Sequence, residues 1–147
     1  MKKEKKAVFA MLVVIALVGT YINYKPTINK VNIESVEITE VQPSPSISKI
    51  FRDKDDMKEF SQKFYDNLEN FKPMVLNLDK DFDSIIYLER EDGTTIPAMI
   101  QDDCIKIDKK WYKTDNEFIE YTKEFFENKQ GVETEESQGM KYYDIQQ

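Results

Sequence analysis

Asp79, Asp81 and Asp83 stand at alternate positions in the segment Asp79-Lys80-Asp81-Phe82-Asp83. Carboxylates at that spacing open the calcium loop of an EF-hand, where oxygen ligands come from every second residue. The rest of such a loop does not follow. Ser84 stands where the turn glycine belongs, Arg90 where the bidentate glutamate belongs, and the segment runs into a strand pattern instead of a helix. The segment reads first as a solvated acidic loop and only second as a calcium site. No other metal ligand set and no cofactor motif is expected.

The remaining chemistry-bearing residues give bland readings. Cys104 is the one cysteine, and the chain has no histidine. A nucleophilic thiolate needs a basic partner; the nearest lysine in sequence is Lys106. Cys104 is therefore expected to be a half-buried small residue. Trp111-Tyr112 together with Tyr87 could line an aromatic ligand surface, but aromatics on a small sheet more often fill a core. Glu89 with Glu91, or Asp102 with Asp103, could in principle serve a glycosidase-type pair, but a fold of this size offers little cleft for them. The absence of histidine removes most hydrolase triads and most zinc sites. Four scattered glycines make no phosphate loop. The expectation is a chain with no catalytic residues, not an enzyme.

Elements must hold these residues, and they begin with an apolar run. Met1-Lys2-Lys3-Glu4-Lys5-Lys6 forms a basic n-region over residues 1–6, followed by an uncharged stretch over 7–24. That stretch is about 18 residues, or about 27 Å as a helix, at the short end of what crosses a bilayer core. Lysines at its start predict a cytoplasmic N-terminus and an extracytoplasmic remainder. Two fates stay open: an uncleaved single-pass anchor, or a signal peptide cleaved near Val18-Gly19-Thr20, with the protein then secreted. No cysteine follows the run, which excludes a lipobox.

Beyond Tyr24 about 120 residues remain, enough for one domain. Four of the 21 basic and one of the 28 acidic residues lie before that point, leaving the remainder at about −10. Such a domain repels nucleic acid and anionic membrane surfaces. Residues 25–30 read as a spacer, 31–130 as the extracytoplasmic domain, and 131–147 as an acidic, disordered tail.

Inside that domain the pattern changes character several times. Val31 to Val41 alternates, with a phase shift at Glu34-Ser35 that suggests a bulge. Pro43-Ser44-Pro45-Ser46 turns it into a second strand, Ile47 to Arg52. Met57, Phe60, Phe64, Leu68 and Phe71 fall on one helical stripe, with a capping-box-like start at Asp56-Met57-Lys58-Glu59. Strands follow at Ser84–Arg90, Thr94–Gln101 and Cys104–Asp108, then Trp111-Tyr112-Lys113. Asp-Gly makes the first turn, and Pro97 suggests an edge or bulge. A two-residue turn at Lys109-Lys110 would set Ile107 opposite Tyr112. Thr114-Asp115-Asn116-Glu117 is a capping box for a last helix carrying Phe118, Tyr121 and Phe125. The expected class is α+β: an N-terminal transmembrane helix, then an antiparallel sheet of four to five strands with two amphipathic helices on one face.

This layout resembles small exported or membrane-anchored domains of unknown function in low-GC Gram-positive bacteria, on the strength of its N-terminal segment, strand pair, helix, and meander ending in Ile105-Lys106-Ile107-Asp108-Lys109-Lys110-Trp111-Tyr112. The resemblance implies topology and location, and no site residues. The functional expectation is a membrane-tethered, non-enzymatic binding domain for a protein or cell-envelope partner. The alternative is an accessory subunit of a membrane complex that uses its anchor as an interaction surface.

Overall fold

The computed structural model describes residues 2–22, 26–41, 45–74, 82–135 and 137–146. Its elements run α1 (Lys2–Ile22), β1 (Ile33–Glu40), β2 (Ile47–Phe51), α2 (Lys54–Leu68), β3 (Lys72–Pro73), β4 (Ser84–Arg90), β5 (Thr95–Gln101), β6 (Cys104–Ile107), β7 (Lys110–Lys113), α3 (Glu117–Asn128), β8 (Val132–Thr134) and α4 (Gln138–Gln146). The class is α+β, with one antiparallel sheet in the order β3-β7-β6-β5-β4-β1-β2-β8. Eight described strands exceed the four to five expected. Two of the additional strands are short edges, β3 and β8, whose two and three residues are too short to alternate visibly in sequence.

The bulge shows as a register shift between Ile33 and Ser35 where β1 meets β4. The expected β1–β2 hairpin forms, pairing Val36 with Phe51 and Glu40 with Ile47. Pro97 sits in an interior strand, but β6 reaches only as far as Ala98, so no ladder partner needs its missing N–H on that side. The β6–β7 register differs from expectation. Asp108 and Lys109 form the turn, both at positive φ, and Ile105 faces Tyr112 while Ile107 closes on Lys110. A primed turn of two left-handed residues matches the twist of the strands.

Phe60, Phe64, Leu68 and Phe71 of the first stripe are buried, as are Phe118 and Phe125 of the second. The two sets meet over one face of the sheet. Phe118 touches Phe60, Phe64 and Phe71, with ring centroids 6.0, 5.7 and 6.2 Å away. Neither helix begins as its sequence suggests. Asp53 caps α2, accepting from Asp55 and Asp56 N–H at 3.0 and 3.1 Å. This moves the start three residues ahead of the Asp56 capping box. Asn116, with φ 68°, is the cap residue of α3 and gives no side-chain bond. Thr114 Oγ1 instead accepts from Asn116 N–H at 3.1 Å, making a turn that delivers the chain to the helix.

The stretch 131–147 departs most from expectation. Its described residues are ordered against the sheet: β8 pairs β2, and α4 lies across β1 and β4. Ser137 Oγ accepts from Met140 N–H at 3.0 Å and so caps α4. The same hydroxyl bonds Thr39 Oγ1 at 2.8 Å, and Thr39 in turn bonds Ser48. The sheet is thus covered on both faces. A smaller cluster of Phe82, Ile85, Met99, Cys104 and Trp111, with Val41, Met74 and Met140 beside it, lies on the face away from α2 and α3.

The transmembrane span expected over 7–24 is not met. No helix among the described residues is long and apolar enough to cross a membrane. Helix α1 begins in the lysines and ends at Ile22, so its uncharged part is ~16 residues or ~24 Å, short of a bilayer core of ~30 Å. Its aliphatic and aromatic side chains, from Val8 to Val18, are exposed.

Candidate functional site

A groove of about 1130 Å³ opens where β1 begins beside α2. Two bonds set its base. Ile33 N–H donates to Ser61 Oγ at 2.9 Å, and the Tyr65 hydroxyl donates to Val31 C=O. The bulge after Ile33 leaves Glu34 exposed on the rim.

Charge divides this groove into two walls. The end of β2 and the first turns of α2 supply Arg52, Lys54 and Lys58; the β1–β4 side supplies Glu34, Glu89 and Glu91. Ser35 Oγ donates to Glu89 at 3.0 Å, and Asn32 Nδ2 to Glu91 at 3.0 Å. Both acids are held in place by neutral donors, and neither bond is to a cation. Opposite them, Arg52, Lys54 and Lys58 make no ion pair among the described residues. Of the acids near them, Asp53 caps α2 and Asp56 binds Lys129 at 2.6 Å, while Asp66, further along α2, also lines the groove. Sequence reading missed these three cations because they alternate with acids, which looks like a neutral solvated face. The capping role of Asp53 is the signal that separates them.

The residues singled out by sequence scatter. Asp79 and Asp81 lie outside the described residues. Asp83 is half-buried, and its Oδ2 accepts from Asp102 N–H at 2.7 Å, fastening the β5–β6 turn. Among the described residues, no three His, Cys, Asp or Glu come together as a metal site. Asp103 does not pair with Asp102; it bridges to Lys113 at 3.0 Å, and this contact lowers its carboxyl below the usual range. Trp111 and Tyr112 face opposite sides of the sheet. Tyr112 joins the large core, and Trp111 stacks on Phe82 at 5.9 Å and 8°, so no shared aromatic surface with Tyr87 forms. Cys104 is buried, and burial together with the adjacent Asp103 carboxylate pushes its thiol up to about 11. A thiol held protonated is a poor nucleophile. Glu89 and Glu91 alone are brought together usefully, as part of the groove.

The class defined by this geometry is an antiparallel α+β domain with a charged surface groove. Comparison with protein-family models, curated proteins and solved structures returned no match.

Proposed function

We propose that the chain is a membrane-associated extracytoplasmic binding module, without enzymatic activity, that holds an extended protein segment in the groove between β1 and α2. The observation that carries this reading is the row Arg52, Lys54, Lys58, without an ion pair among the described residues, lining one groove with Glu34, Glu89 and Glu91. In a chain of net charge −7, three such cations favour an acidic partner side chain. The opposite wall favours a basic one. Such complementarity sets register and partner choice more than raw affinity. Helix α1 supports the membrane part. Its exposed aliphatics need an apolar environment, and the lysines at its start favour the cytoplasmic side of a bilayer.

The test is affinity capture of the full chain from membranes, wild type against Arg52→Glu/Lys54→Glu/Lys58→Glu. Loss of a captured protein by tenfold or more supports the groove; an unchanged profile overturns it. Release of envelope fragments by the purified chain would overturn the non-enzymatic reading.

A second reading, an accessory subunit acting through α1, rests on the exposure of the large apolar side chains of that helix from Val8 to Val18. Exchanging residues 7–22 for an unrelated apolar segment distinguishes the two. Groove-dependent capture survives the exchange in the first reading and is lost in the second.

A further inference from the structure

Sulfur is unevenly distributed in this protein. The chain has six methionines and one cysteine. The large core between the sheet and α2–α3 contains one of them, Met57. The much smaller cluster on the other face gathers Met74, Met99, Met140 and Cys104. They arrive from four places: the end of β3, β5, α4 and β6. Met74 is placed by its backbone, whose N–H donates to Trp111 C=O at 2.9 Å and so prolongs β3 along β7. This brings its thioether to 3.4 Å from Cys104 Sγ.

We propose that this cluster is a binding site for a soft monovalent metal ion, Cu(I), with Cys104 and Met74 as its first two ligands and Met99 or Met140 completing it. Thiolate and thioether donors select Cu(I). Two sulfurs each about 2.3 Å from one ion are roughly 4 Å apart at a trigonal angle, so the 3.4 Å pair needs to open by only about half an ångström. The other residues of the cluster are apolar, and the chain offers no histidine, so zinc and the hard cations lack their usual donors. Charge gives the same answer. On binding, the Cys104 S–H bond breaks, an S–Cu bond forms, the proton leaves to solvent past Asp103, and the oxidation state is unchanged. A neutral thiol becomes a neutral thiolate–Cu(I) unit, so the apolar cluster takes up no net charge. Asp103 Oδ1 lies 3.3 Å from the sulfur and is held by Lys113. Met74 and Met140 are half-buried and give the ion a way in.

The test is anaerobic titration of the reduced full chain with Cu(I) delivered as its coloured bicinchoninate complex. One equivalent should be withdrawn from the chelator. Fluorescence of Trp111, the single tryptophan, should change and saturate at the same point. Affinity should tighten by up to tenfold per pH unit, since the thiol at about 11 must lose its proton. Cys104→Ser should abolish uptake. Met74→Leu preserves volume and so the fold, and should weaken binding at least tenfold with an unchanged circular dichroism spectrum. Failure to compete with the chelator, equal uptake of Zn(II), or undiminished uptake by Met74→Leu would each overturn the proposal.

Discussion

Glu37 lies on β1 beneath the start of α4, 4% exposed. One of its carboxylate oxygens accepts from Gln138 N–H at 3.1 Å, and the other has no hydrogen-bond partner among the described residues. A carboxylate at a helix N-terminus is favoured by the unsatisfied amides there, and Ser137 beside it works in the same direction. Replacing Ser137 with Ala removes the cap and the bond to Thr39 together, and should cost about 1–2 kcal/mol in urea unfolding. Thr39→Val in the same background should then add less than it does alone, because the two share one bond. Charges elsewhere set the pH limits. The Thr94 hydroxyl and N–H lower Asp92, and Lys113 lowers Asp103, both from 3.8. Depressed carboxyls stabilise the fold above their unfolded value, so this contribution is intact at neutral pH and is lost as pH falls below about 3.8. Asp56, first, and Glu59 raise Lys129 above 10.5. Its contribution is complete below that value and disappears as pH climbs through the folded one. Thermal unfolding midpoints followed across pH should fall at both ends, and Lys129→Met should flatten the alkaline limb only.

At the scale of elements, α4 and the β6–β7 turn are the most informative. A Cβ on Gly139 would come within 2.8 Å of Ile85 Cγ2. Gly→Ala inside a helix is ordinarily worth up to about 1 kcal/mol in favour of alanine; here the close approach reverses the sign. Gly139→Ala should destabilise by about 1–3 kcal/mol and speed hydrogen exchange in α4 before it affects α2. The turn behaves oppositely. Lys109 sits at φ 65°, a conformation that costs a side chain roughly 1 kcal/mol. Lys109→Gly should therefore raise the midpoint by a few degrees. Phe118 is the keystone of the two-helix layer, and Phe118→Ala should cost about 3–5 kcal/mol, visible as a lower urea midpoint with a native-like spectrum.

Over the whole molecule, one sheet separates two apolar clusters of unequal size, and strands β4, β5, β6 and β7 each contribute residues to both. The domain should therefore unfold in one transition. Trp111 fluorescence reports the small cluster and far-ultraviolet circular dichroism the large one, and the two should give coincident urea curves. Separated curves would show that α4 and its cluster melt alone. What the sequence determined by itself is what is local and periodic. The Met57–Phe71 and Phe118–Phe125 stripes, the Asp92-Gly93 turn, the Glu34-Ser35 bulge and the antiparallel pairing of β1 with β2 are all readable, because each depends on neighbours a few positions away. The antiparallel α+β class follows from their order. What only the tertiary structure decided depends on distant partners. Edge strands β3 and β8 are too short to announce themselves, and residues 137–146 look like a polar tail until Glu37 and Thr39 of β1 supply the acceptors and hydroxyls that fasten them. The groove belongs to the same category. Arg52, Lys54 and Lys58 look neutralised in sequence, and they become a cationic wall only because folding draws Asp53 into a helix cap and Asp56 onto Lys129.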